Sequence, residues 1–283
     1  MEDKRLIKLI ELIRAYNPFI QLFKGDYRMK QHNALPLMAV TATIILGSAW
    51  ALLATQMSDR VESSAQKSYV FMTYLKNDDI KIHTTNDSVV TLTGTVSESS
   101  HRTLAEETVA ELPGVKSVND KLELKGEQPA ENSDIWIGMK VKTMLMFHRN
   151  VSGLGTDVDV KNGAVTLHGK VPSEAQKELT AEYAMDVGGV KIVKNDMIVV
   201  KPAETTVEKV NEYVDDASIT AQVKMALLFH HSTSVIKTKV ATKDGIVTVG
   251  GVAKNAAEKD LVGKLVNDIK GVKTLKNEMT IGQ

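Results

Sequence analysis

The chain repeats itself. DIWIGMKVKTMLMFHRN (134–150) lies over DASITAQVKMALLFHHS (216–232) at an offset of 82 residues. The same offset carries KNGAVTLHGKV (161–171) onto KDGIVTVGGVA (243–253), and GGVKIVKNDM (188–197) onto KGVKTLKNEM (270–279), with no gap anywhere. Residues 134–201 and 216–283 are therefore two copies of one unit, and the fold becomes a question about a single short segment. A more divergent copy, 61–125, precedes them. Its NDSVVTLTGTV (86–96) and PGVKSVNDKLEL (113–124) match the second half of the unit. In all three copies a glycine precedes a Gly-Val pair by the same interval: Gly94 to Val115, Gly169 to Val190, Gly251 to Val272. The first copy departs at its front, where only KNDD separates SYVFMTYL (68–75) from the strand residues Ile80 and Ile82.

Local patterns give each unit the order α-β-β-α-β. Ile137, Val141 and Leu145, like Ile219, Val223 and Leu227, recur every four residues and mark one face of an opening helix. Asp134 and Asp216 stand where its N-cap belongs. A hairpin follows, turning on Asn162-Gly163 or Asp244-Gly245, dipeptides that tolerate the positive φ of a type I′ turn. Val165 and Leu167 alternate with Thr166 and His168, so one face of the sheet is buried and the other is not. Ser173 with Gln176, and Asn255 with Glu258, have capping-box spacing for a second helix. Leu261, Leu265 and Ile269 supply that helix's inner stripe, and Gly189 or Gly271 ends it. A last strand, DMIVV or NEMTI, closes the unit. The expected class is α+β: three tandem units, each a three-stranded sheet with two helices on one face.

This arrangement resembles the BON domain, named for bacterial osmotically induced and nodulation proteins. The resemblance covers all three units. It rests on D-x-x-I-x-x-x-V-K-x-x-L (134–145, 216–227), on the NG-x-V-x-L-x-G and DG-x-V-x-V-x-G hairpins, and on the closing GVK…N-[DE]. It implies a non-enzymatic module that binds phospholipid surfaces or acts in envelope stress or as a chaperone-like partner. No cofactor is implied.

Charged residues make up 25% of the chain and the net charge is zero, which argues against wholesale nucleic-acid binding. The absence of cysteine removes disulfides, thiolate metal sites and cysteine nucleophiles together. From Ala34 to Thr55 the chain runs 22 residues without a charge, long enough to cross a bilayer as a helix. Lys24, Arg28 and Lys30 before it predict a cytoplasmic N-terminal segment (1–33), a span at 34–55 and export of everything after it to the periplasm. The alternative is a signal peptide starting at Met29 and cleaved near Ala51, releasing the units. LIKLIELI (6–13) reads either as an amphipathic helix on the inner leaflet or as a short solvated one.

Chemistry-bearing motifs are scarce. The chain has no P-loop, no Rossmann glycine pattern, no HExxH and no GxSxG. SESSH (97–101) brings serine and histidine together at the start of a polar helix, where they cap it and face water. Phe147-His148 and Phe229-His230 occupy the last turn of the opening helix, and Arg149 and His231 follow. A cation there complements the helix dipole, and neighbouring histidines point apart, so no metal ligand set is expected.

Charge by unit is more informative. Residues 63–125 hold 7 basic and 9 acidic side chains, residues 134–201 hold 9 and 8, and residues 216–283 hold 10 and 6, giving net −2, +1 and +4. Lys254, Lys259, Lys264, Lys270, Lys273 and Lys276 lie along or just after the third unit's second helix, and with Phe147 and Phe229 they are the expected contacts to anionic phospholipid. Open sheet edges offer the alternative of an envelope protein as partner. The linkers 126–133 and 202–215 predict considerable freedom between units.

Overall fold

The computed structural model describes residues 58–85, 87–127, 129–200, 213–233 and 238–282. The expected membrane segment and cleavage site lie outside them. Among the described residues no helix is long and apolar enough to cross a membrane.

All three units have the expected element order. The first holds a helical segment 58–67, α1 (Tyr69–Thr73), β1 (Asp79–Thr84), β2 (Val89–Val96), α2 (Ser99–Ala110) and β3 (Ser117–Leu124). The second holds α3 (Asp134–Phe147), β4 (Thr156–Lys161), β5 (Ala164–Val171), α4 (Glu174–Met185), β6 (Ile192–Asn195) and β7 (Ile198–Val199). The third repeats this as α5 (Asp216–Phe229), β8 (Thr238–Lys243), β9 (Ile246–Ala253), α6 (Ala256–Asn267), β10 (Thr274–Asn277) and β11 (Thr280–Ile281). In each sheet the hairpin's second strand is central, antiparallel to the first strand and parallel to the last.

The motif residues now have mechanical roles. Asn162 (φ 54°) and Gly163 (φ 79°) adopt the type I′ turn, as do Asp244 and Gly245. Asp134 and Asp216 are not N-caps. Ser133 and Asp215 take that place, accepting from the amides of Trp136 and Ser218. The carboxylate one residue on is freed to reach across the unit. Asp134 accepts the amides of Asn162 (2.6 Å) and Gly163 (2.8 Å), and Asp216 those of Asp244 (2.7 Å) and Gly245 (2.8 Å). These two backbone donors hold the Asp134 carboxyl below its ordinary range. The aspartate thus pins the hairpin turn to the start of the opening helix.

The last strand differs from expectation in the second and third units, where it is broken in two. Asn195 and Asn277 turn their side chains out of the strand. Each donates its amide to a carbonyl of the second helix, Lys177 (2.6 Å) or Lys259 (2.9 Å), and accepts the amide of Met197 or Met279. Both methionines are buried in the core. In the first unit Asp120 replaces the asparagine, and β3 runs unbroken through eight residues.

The units are not free beads. Their buried side chains form one continuous core. Its centre is α5, in which Ala217, Ile219, Ala221, Val223, Met225, Ala226 and Leu227 are all at most 7% exposed. A helix whose buried residues run this far around its circumference needs neighbours on several sides. The α2 helix packs along it, α3 touches it, and α6 lies beneath. Lys224 on α5 meets both Glu107 and Glu111 of α2 at 2.7 Å. Asp215, at the end of the second linker, accepts the amide of Tyr69 at 2.7 Å. The expected freedom between units is lost to this burial.

Candidate functional site

The residues that end the opening helices build a joint between the second and third units. His148 bridges Ile269 and His230 bridges Val187, each as an isolated antiparallel pair. Around the first bridge, the Arg149 amide donates to the Asp268 carbonyl (3.0 Å) and the Lys270 amide to that of Phe147 (2.9 Å). Around the second, the His231 amide donates to Asp186 (2.9 Å) and the Gly188 amide to Phe229 (2.9 Å). These are the same four positions with the units exchanged, so the joint is two-fold: each unit offers a helix end and receives one at its Gly-Val turn.

Side chains differentiate its two halves. The Arg149 guanidinium donates from Nη2 to the carbonyls of Ile269 (2.9 Å) and Val272 (2.7 Å), tying down the Gly-Val turn that follows α6. His231, at the matching position, is exposed and pairs Nδ1 with the Asp186 carbonyl at 2.8 Å. His148 is fully buried and stacks on Tyr183, with ring centroids 3.5 Å apart and 3° between planes. Neither of its nitrogens reaches a hydrogen-bond partner. Burial lowers its pKa to about 4; the Asp268 backbone opposes this in part, and His230 and Lys270 reinforce it. Burial also lowers His230 to about 4, with His231 adding to the effect. Lys140 lies under the joint. Its ammonium donates to the Gly188 carbonyl (2.7 Å), sits 3.8 Å over the Trp136 ring, and is lowered by burial to about 8.

Asp186, His230 and His231 are the one group of potential metal ligands brought together among the described residues. Their geometry suits a joint better than an ion. The two histidines do not point apart as expected: their imidazoles stack at 4.8 Å and 16°. With Asp186 they bring potential ligand atoms within 4.8 Å of one another, though near-parallel rings aim their lone pairs side by side. His230 Nδ1 accepts the Ser232 amide (3.0 Å), which leaves the proton on Nε2, the nitrogen 3.8 Å from the Asp186 carboxylate.

The expected lipid contacts do not converge. Phe147 is wholly buried and meets the Tyr74 ring of the first unit edge-on at 5.4 Å, so this ring reaches no bilayer. Phe229 is half-buried, 5.7 Å from the Lys140 ammonium. Lys270 is half-buried at the joint. Lys259 donates to the Met279 carbonyl (2.6 Å), Lys273 to that of Asp244 (3.2 Å), and Lys254 faces Glu258 at 3.8 Å. Lys264 is exposed on α6, while Lys276 lies on the opposite, open face of the sheet. Counting lysines per unit could not separate these faces. The alternation along β8, in which Lys239, Ala241 and Lys243 share one side, was the signal that could have.

A recess of about 470 Å³ gathers Glu98, Asp134, Lys142, Asp157 and Asp159 beside Ile135, Met139, Val158 and Val160. SESSH does not simply cap its helix and face water: His101 Nδ1 lies 2.6 Å from the buried carboxylate of Asp78 and 3.1 Å from Ser97 Oγ. The recesses at the hairpin poles, about 540 Å³ beside Asn162-Gly163 and 530 Å³ beside Asp244-Gly245, are lined by the aspartates already satisfied by turn amides.

The BON domain model matches residues 58–126, 133–202 and 215–283. Osmotically-inducible protein Y of Escherichia coli (strain K12) is 32% identical over 146 residues, covering 52% of this chain and 71% of that protein. An Anaplasma centrale protein, described as an uncharacterized protein in the gshII 5′ region, is 29% identical over 140 residues, 50% of this chain and 89% of its own. The C-terminal domain of CdsD, a structural protein of the type III secretion system of Chlamydia trachomatis, aligns over 79% of this chain and 96% of its own. At 16% identity and a TM-score of 0.22, that likeness is too weak to bear on function. With three matches spanning most of its length, the chain belongs to the BON domain family.

Proposed function

We propose that this is a non-enzymatic cell-envelope protein of the periplasm whose BON domains adhere to anionic phospholipid surfaces and support the envelope under osmotic stress. The carrying observation is the uneven charge of the three units, net −2, +1 and +4, which concentrates basic surface in the third. A few lysines near an anionic bilayer give weak, salt-sensitive adhesion, suited to a protein that patrols a surface. The resemblance to osmotically-inducible protein Y supports the stress setting. Flotation of the protein with phosphatidylglycerol vesicles should exceed that with neutral vesicles at low salt and fall as salt rises. Equal flotation with both would end the reading.

A second reading, a protein-interaction or chaperone-like module, is favoured by the second unit's last strand. Ile192 and Ile198 on this sheet edge are 60% and 62% exposed, an apolar border open to a partner strand. Salt-insensitive capture of an unfolded client protein would favour it over lipid.

A further inference from the structure

The two complete repeats invite a comparison of their open sheet faces, position by position. In the second unit that face carries Asp157, Asp159 and Lys161 on β4, His168 and Lys170 on β5, and Lys194 on β6. Its charges are mixed in sign: Lys194 pairs with Asp196 at 2.6 Å, and Asp157 and Asp159 share their strand with Lys161.

In the third unit the same positions read differently. Lys239 stands where Asp157 was and Ala241 where Asp159 was, while Lys243 and Lys276 keep the positions of Lys161 and Lys194. Gly250 replaces His168, and the apolar Val252 replaces Lys170. Lys239, Lys243 and Lys276 are all exposed, and among the described residues none makes an ion pair. Between the flanking lysines, β9 presents Ile246 (37% exposed), Thr248, Gly250 and Val252 (42% exposed). Asp244 in the turn and Glu278 at the strand break border this face, and neither is paired with its lysines.

Nothing else in the described chain covers it. The helices α5 and α6 lie on the other side of the sheet, with Val247 and Val249 buried beneath them. A shallow recess of about 400 Å³ dents it, between Ala241, Ile246 and Lys276.

We infer that this open face of the third unit's sheet, rather than its second helix, is the surface that lies on an anionic bilayer. The inference rests on the phospholipid reading above and gives it an orientation. Lysines on both outer strands match a plane of phosphate headgroups, and Ile246 and Val252 between them match the interfacial layer just below. The helix α6 is less suited. Lys254 is engaged with Glu258, Lys259 with the Met279 carbonyl, and Asp260 interrupts its basic side.

The chain has no cysteine, so a single introduced thiol takes a label cleanly. Full-length protein carrying an environment-sensitive fluorophore at Ala241→Cys, or at Lys264→Cys on α6, would be mixed with vesicles of phosphatidylglycerol or of phosphatidylcholine alone. The Ala241 label should shift to the blue with phosphatidylglycerol only, with the Lys264 label unmoved. The combined variant Lys239→Glu, Lys243→Glu, Lys276→Glu should weaken charge-dependent partition about tenfold or more. Lys254→Glu with Lys264→Glu should weaken it far less. Preferential binding to phosphatidylglycerol with a response at Lys264 and silence at Ala241 would overturn the inference and leave the lipid reading standing. No preference between the vesicles would sink the lipid reading itself. A response of the Ala241 label to poly-glutamate but not to vesicles would assign the face to an acidic protein and overturn the bilayer.

Discussion

His148→Phe should stabilise the joint between the second and third units, and should do so increasingly as pH falls. The imidazole is fully buried against Tyr183 with neither nitrogen hydrogen-bonded. Phenylalanine keeps the stacked ring and removes two buried polar atoms with no well-formed hydrogen bond, one of them helped in part by the Asp268 backbone, where a wholly unpaired group would cost about 1–3 kcal/mol. Ring volume and contacts differ little, so a gain of about 1 kcal/mol at neutral pH is expected, allowing for imperfect repacking. The larger effect comes from titration. The folded pKa of about 4 lies below the unfolded value of 6.5, so between them the unfolded chain takes up a proton that the folded one refuses. The stability contributed by the neutral ring is complete above pH 6.5 and is lost as pH falls toward 4. At about 1.4 kcal/mol per unit of pKa, the loss reaches about 3 kcal/mol. Carboxylates titrate over part of this range too, so the diagnostic quantity is the gap between variant and parent. Urea unfolding followed by Trp136 fluorescence, with Trp50→Phe to remove the second indole, would measure that gap at pH 7.5 and pH 4.5. A gap that stays constant across pH would refute the argument.

Two further outcomes follow from the same geometry. Arg149→Met keeps the apolar stem but removes the guanidinium donor from the Val272 carbonyl and from that of Ile269, which keeps only the Val272 amide, and should cost about 2 kcal/mol in urea unfolding, whereas the matching His231→Met, at an exposed ring with one backbone contact, should cost well under half of that. Lys224→Met leaves Glu107 and Glu111 facing each other and should cost about 1–2 kcal/mol, much of it recovered when both glutamates become glutamine, in a cycle read by thermal unfolding.

What could be read from the chain alone was whatever depends on short-range pattern. The type I′ turns, the capping residues Ser173 and Asn255, and the two-sided strands at Val165 and Leu167 are local, and the structure has them where the spacing puts them. The opening helices were misread in a consistent way. Phe-His-Arg at 147–149 has the composition of an ordinary helix end, because residues that cap a helix and residues that dock one are the same types. Only a second unit, folded against it, distinguishes the two uses. The stripe of Ile219, Val223 and Leu227 marked only one face of α5, and it gave no sign that Ser218, Thr220 and Gln222 are buried as well, all at most 1% exposed. Small polar residues that bond along their own helix can be buried cheaply, as Thr220 does to the Asp216 carbonyl and Gln222 to that of Ser218.

The exchanged helix ends between the second and third units also set a limit on growth. Stacked head to tail, a repeat always presents one fresh surface for the next, and an array can lengthen without end. Here each partner gives and takes at once, so the pair spends its adhesive surfaces on itself. The first unit, whose opening helix is interrupted at Ser68 between segment 58–67 and α1, attaches along the flank of α5 by other contacts. The joint is a closed exchange, with neither of its two helix ends left over to recruit a further copy.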